Sequence, residues 1–141
     1  MRDTEHIAAW IKEKNFSNLL IIGRSIGAGF ASYHASLASP DKLLLISPFD
    51  TLSSLASGHY PAYPIALMLK TELDNVVNAS FAKKILVIHG TEDEVIPFKR
   101  GRSLFEQLPQ KDKSFLPIEG YGHNDVLGTK ESWSAITAFV E

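Results

Sequence analysis

Two rhythms of apolar and polar positions divide this 141-residue chain. Three unbroken apolar runs, Leu19-Leu20-Ile21-Ile22, Leu43-Leu44-Leu45-Ile46 and Ile85-Leu86-Val87-Ile88, have no polar face at all. Runs this short that are apolar on both sides predict strands buried within a parallel sheet. Between them, apolar residues recur every three or four positions, the spacing of a helix with one buried stripe. Residues 4–14 gather Ile7, Trp10 and Ile11 on such a face, and 26–38 repeat the pattern through Ile26, Phe30 and Leu37. Helices are also predicted at about 98–108 and 131–140, and an outer strand at 113–118. Asn15 to Asn18, Ser39-Pro40-Asp41, Pro48 and Pro109 mark the breaks. A helix between two parallel strands implies a right-handed crossover. The predicted fold is therefore α/β, a mostly parallel open sheet with helices on both faces.

From about 49 to 81 the rhythm lapses. Gly58, Pro61 and Pro64 interrupt a stretch holding His59, Tyr60 and Tyr63. Short helices fit 51–57 and 65–70, the second presenting Leu67, Met68 and Leu69. The chain is thus expected to be one domain, 1–141, with a lid-like insertion at about 49–81; packing of that insertion against the body is favoured over a mobile lid.

Composition narrows the function. With 45% hydrophobic and 21% charged residues, the chain suits one globular domain with a real core. A net charge of -2 and a pI near 6.2 leave no basic footprint for nucleic acid or an anionic membrane surface. Cysteine is absent, which removes disulfides, thiol nucleophiles and thiolate metal sites. No H-E-x-x-H spacing occurs, and Gly23, Gly27 and Gly29 do not fit a dinucleotide or P-loop pattern, so neither metal nor cofactor is expected. No apolar run nears the roughly 18 residues of a membrane span, and no secretory signal opens the sequence, so a cytoplasmic setting is expected.

Chemistry concentrates where apolar runs end. The first run passes directly into Gly23-Arg24-Ser25-Ile26-Gly27, a G-x-S-x-G pattern in which a strand turns at once into a helix. Such a turn crowds its central residue, and glycines two before and two after relieve the crowding. Ser25 is the candidate nucleophile, held at a helix N-terminus where partial positive charge gathers; the plainer alternative is a helix N-cap. A serine hydroxyl needs a base to take its proton, and the base needs a carboxylate to orient it. Glu92, Asp93 and Glu94 follow the third run, and any of them could orient the base, with Asp93 favoured. His123 in Gly122-His123-Asn124-Asp125 is the favoured base over His6, His34, His59 and His89. Asp125, so close to His123 in sequence, is read as a cap or a solvated side chain.

Taken together, Gly23-Arg24-Ser25-Ile26-Gly27, Ser47-Pro48-Phe49-Asp50, His89-Gly90-Thr91-Glu92-Asp93-Glu94-Val95-Ile96-Pro97 and Gly122-His123-Asn124-Asp125 resemble the α/β-hydrolase family. The order Ser, Asp, His is that family's order. The likeness is greatest to the branch that includes protein depalmitoylases and monoacylglycerol lipases, and it extends over nearly the whole chain. It implies ester or thioester hydrolysis of a small-molecule or acyl substrate through an acyl-enzyme on Ser25, with the Ile26 N–H as one oxyanion donor. It also implies that several strands precede the counterpart of residues 4–14, so the chain is expected to match only the C-terminal part of the fold. The second oxyanion donor would then lie outside this sequence, and the strand at 19–22 would be an open edge. Another copy of the chain, or an N-terminal companion segment, is expected to cover it. The competing expectation is a weak or inactive hydrolase-like module that associates through that edge.

Overall fold

A computed structural model describes residues 1–141, except for the side chains of residues 66 and 67. The first helix, α1 (Arg2–Lys14), ends in Asn15, whose left-handed conformation lets its N–H reach back to Ile11 and Lys12 carbonyls. Then follow β1 (Leu20–Arg24), α2 (Ile26–Ala38) and β2 (Lys42–Ile46). Residues 49–81 hold α3 (Leu52–His59), α4 (Ile65–Met68) and α5 (Asn75–Ala79), after which β3 (Lys84–Gly90), α6 (Phe98–Gln107), β4 (Lys113–Ile118) and α7 (Lys130–Val140) complete the chain. All four strands are parallel, in spatial order β1-β2-β3-β4.

Alternation along the strands sorts the apolar runs into two cores. Leu43, Leu45, Ile85 and Val87 face one side, where they pack with Ala28, Ala31 and Ala35 of α2, Ala79 of α5 and Leu104 of α6. Leu44, Ile46, Leu86 and Ile88 face the other, under Phe139 of α7. Helices therefore cover both faces, as the all-apolar runs require.

The edge strand departs from full burial. Ile22 is 55% exposed, because α7 lies over the far strands and the outer side of β1 has no ladder partner among the described residues. Helix α1 is a second correction. Its inward face has Ala8 buried and Thr4 and Ile11 half-buried, while Ile7 and Trp10 stand exposed. The expected apolar face is rotated because α1 packs on α2, whose contact surface admits a small residue such as Ala8.

Of these helices, α5 is not foreshadowed by periodicity. Asp74 caps it by accepting the Val77 N–H at 3.0 Å, and Asn75 is fully buried, donating to the Phe49 carbonyl at 2.8 Å. From this helix Val76 and Ala79, three positions apart, pack against the core, a single apolar step that is too short to show a period. Met68 at the end of α4 is exposed and Leu69 half-buried; the exposure expected of Leu67 falls outside the described side chains.

Because every strand points the same way, all four carboxyl ends share one rim. Ser25, Ser47, the Thr91–Ile96 loop and the loop from 119 to 125 follow those ends in order. Polar side chains from distant parts of the sequence meet there.

Candidate active site

Ser25 sits between β1 and α2 with φ 55° and ψ −130°, a strained conformation for a residue with a side chain. Its N–H is held by the Ile46 carbonyl of the neighbouring strand at 2.9 Å, which fixes the turn from outside. The preceding glycine is obligatory in this packing: a Cβ on Gly23 would lie 2.5 Å from Ala31 Cβ and 2.7 Å from Ala28 Cα. Gly27 is different. A Cβ there would meet nothing within 4 Å, so the second glycine of the pattern relieves no crowding in this structure. Gly29, outside the pattern, does lie against Leu73 and Phe49 and lets α2 approach them.

Ser25 heads α2 but its side chain caps no N–H of that helix. Instead Ser25 Oγ lies 2.8 Å from His123 Nε2, and His123 Nδ1 lies 2.7 Å from Asp93 Oδ2. A carboxylate only accepts, so Nδ1 carries the proton and Nε2 is the acceptor facing the hydroxyl. The three groups come from the ends of β1, β3 and β4.

Of the three neighbouring acids, Glu92 and Glu94 are exposed, whereas Asp93 is 5% exposed. Its Oδ1 accepts the N–H groups of Val95 at 3.0 Å and Ile96 at 2.8 Å, which aims Oδ2 at His123. Below it lies His89, completely buried. His89 Nε2 donates to the Ile96 carbonyl at 2.9 Å and is 3.5 Å from Asp93 Oδ2. Burial pushes the His89 imidazole below its ordinary range, despite the opposing pull of the Ile96 carbonyl and Asp93. A neutral ring in that place supports the acid loop without competing for its charge.

The other residues singled out from the sequence fall around this cluster. Ile26 opens α2 and is 50% exposed; its N–H belongs to the first helical turn, whose donors lack intrahelical acceptors. Asp125 Oδ1 accepts the Gly122 N–H at 2.7 Å, the local capping role read for it. His59 bonds the Val95 carbonyl at 3.0 Å, and His34 lies on α2 with its ring lowered in basicity by burial. Among the described residues no group of His, Asp and Glu has the arrangement of a metal site. An open cleft of about 330 Å³, lined by Glu92, Glu94, Val95 and Asn124, adjoins His123.

Two contacts had no signal in the sequence. Arg24 Nη2 donates to the His123 carbonyl at 2.7 Å. Asp50, 6% exposed, accepts from Arg100 at 3.2 Å and Ser103 at 3.1 Å, tying the segment that leads into α3 to α6. Both join positions 50 or more residues apart, a separation that local pattern does not report.

A parallel, helix-layered sheet whose polar cluster sits at the carboxyl rim, with a serine at the strand-helix turn, is the architecture of the α/β hydrolases. Relatives agree with it. The chain is 35% identical over 114 residues to human alpha/beta hydrolase domain-containing protein 17B, a match covering 77% of this chain and 36% of that protein. Acetyl xylan esterase 1 from Thermoanaerobacterium superposes with a TM-score of 0.72 at 17% identity, covering 98% of this chain and 50% of the other. A monoacylglycerol lipase from Paleococcus ferrophilus gives 0.64 at 17%, covering 98% and 73%. No protein-family model matches the chain. The chain belongs to the α/β-hydrolase family and spans about two fifths of the length of the curated relatives it matches. None of its described helices is long and apolar enough to cross a membrane.

Proposed function

We propose that this chain carries the reacting groups of a serine hydrolase that cleaves ester or thioester bonds. The observation that carries the reading is the hydrogen-bonded series Ser25 Oγ, His123 Nε2, His123 Nδ1, Asp93 Oδ2, with links of 2.8 and 2.7 Å. His123 Nε2 takes the Ser25 proton as Oγ bonds to the substrate carbonyl carbon, and the carbonyl oxygen becomes an oxyanion. Asp93 stabilises the imidazolium so formed. Nε2 then returns the proton to the departing alcohol or thiol as its bond to carbon breaks, leaving an acyl group on Ser25. Water repeats the sequence, with His123 again taking the proton, and releases the acid.

Negative charge on the tetrahedral oxygen falls near the start of α2, where the Ile26 N–H is the first donor. A second donor would come from a segment that this sequence does not include. One preorganised donor is worth about 10²–10³ in turnover, so turnover by this chain alone is expected to be slow while attack by Ser25 on a strong electrophile persists. An active-site-directed fluorophosphonate tests this: Ser25 takes the label and Ser25→Ala does not. A chain that stays unlabelled, or a variant that labels equally, refutes the reading.

A second reading rests on the sheet edge. Ile7, Ile22, Ile26 and Phe30 are all exposed around β1, an apolar margin of the kind that seeks pairing. The module would then act chiefly by associating through β1, with another copy of the chain as the first partner to test. Light scattering across a concentration series distinguishes the outcomes, a monomer at high concentration counting against self-association.

A further inference from the structure

The loop that carries His123 is held unevenly. Its first part is well anchored: Gly120 N–H donates to Thr91 Oγ1 at 2.9 Å, the Tyr121 carbonyl accepts from Glu92 N–H at 3.0 Å, and Gly122 N–H donates to Asp125 at 2.7 Å. Gly120, at φ 75°, and Gly122 leave this part of the chain little intrinsic stiffness. At His123 itself, the backbone has one hydrogen-bond partner among the described residues. That partner is Arg24, whose Nη2 donates to the His123 carbonyl at 2.7 Å and lies 3.5 Å from Asn124 Oδ1.

Arg24 is the residue immediately before Ser25. Its own backbone is locked in β1, in register with Ile46 of β2, so its position is set by the same sheet that sets the serine. Among the described residues its guanidinium makes no ion pair. Its donors are free to serve the loop alone, and the two N–H groups of Nη2 can reach a carbonyl and an amide oxygen lying side by side.

We propose that Arg24 is a positioning residue that clamps the His123 backbone to the strand bearing Ser25, so that the distance between imidazole and hydroxyl is fixed from both sides. Asp93 orients the ring through its side chain; Arg24 fixes the point from which that side chain hangs. The proposal rests on the assignment of Ser25 as nucleophile and His123 as its base. It predicts a residue whose loss lowers the reactivity of Ser25 with little effect on folding, since Arg24 is exposed and fills no core.

Two measurements on the full chain test it. In Arg24→Ala, the fluorophosphonate labelling rate of Ser25 falls about tenfold, the rate equivalent of losing one charge-assisted hydrogen bond, while the melting temperature stays close to that of the unaltered chain. Hydrogen exchange of the backbone amides from 121 to 125 becomes faster in the same variant. Added guanidinium ion restores part of the labelling rate in Arg24→Ala and leaves the unaltered chain unchanged, an effect that a merely structural residue would not show. Labelling and exchange both unchanged in Arg24→Ala overturn the proposal, and so does faster exchange with an unchanged labelling rate. If the unaltered chain takes no label, the nucleophile assignment is what fails. Exchange then decides the clamp by itself, faster exchange upholding the contact and unchanged exchange refuting it.

Discussion

Gly23 and Ala31 are packed so closely that a methyl group on the glycine would stand 2.5 Å from the alanine Cβ. Strand β1 and helix α2 can therefore follow one another without a connecting loop, and the Ser25 turn depends on that contact. Gly23→Ala is expected to destabilise the fold by about 1–3 kcal/mol, the usual cost of forcing a carbon into a filled site. Gly27→Ala places a methyl in open space on a helix and should be neutral or stabilising by up to about 1 kcal/mol. Denaturant unfolding of the two variants separates them; equal losses would mean that the packing at Gly23 is not what holds the turn.

The carboxylate at 93 is expected to matter through its acceptor geometry. Asp93→Asn keeps size and shape but presents an amide where His123 Nδ1–H needs an anion, so the ring loses both its tautomer and the stabilisation of its cation. Labelling of Ser25 should fall by about 10³–10⁴, as it should for His123→Ala. Glu92→Gln and Glu94→Gln, at exposed positions, should leave the rate within about twofold, since solvent-exposed charges act weakly at a distance. Comparable losses in all of these variants would remove the special role of Asp93.

Acid should weaken the fold through His89. The buried ring is held below its ordinary value of 6.5, so the unfolded chain binds a proton that the folded chain refuses. Stability is therefore full above pH 6.5 and declines as the pH falls from there toward the folded-state value, below which the loss levels off. His34, lowered by burial, adds a contribution of the same sign. Unfolding curves at about pH 7.5 and pH 5.5 should differ in that direction, and His89→Gln should flatten the difference. A fold that gains stability on acidification over this interval would contradict the burial argument.

Removing Arg100 should loosen the segment around Asp50. Arg100→Met leaves the nearly buried Asp50 carboxylate with only Ser103 and the Thr51 N–H, at an expected cost of about 2–4 kcal/mol. Asp50→Asn in the same chain removes the orphaned charge and should recover part of that loss. Thermal unfolding of the single and double variants gives the coupling. Additive losses would show that the pair acts independently.

Much of the architecture was legible in order. Three apolar runs, broken by helical spacing, were sufficient to predict parallel strands and crossover helices, because a strand buried on both faces has no room for polar residues. Within residues 49–81 the sequence marks two short helices, close to α3 and α4, but not α5, whose five residues are set by the Asp74 cap and by Asn75 inside the core and are too few to show a period. The exposed Ile7 and Trp10 of α1 and the exposed Ile22 of β1 depart from the apolar pattern for one reason. Apolar character says that a residue can be buried, and the neighbouring elements decide whether it is.

At the site, the residue types and their order along the chain pointed to Ser25, Asp93 and His123, because acyl chemistry needs a hydroxyl, a base and an acid and parallel strands deliver their ends to one rim. Tertiary structure decided the rest. It buried Asp93 and left Glu92 and Glu94 exposed, packed Gly23 and left Gly27 free, and brought Arg24 to the His123 carbonyl across 99 positions. Sequence alone determined which groups this chain can offer and at which strand ends. Their distances and burial were settled only by folding, since each depends on atoms contributed by elements remote in the chain.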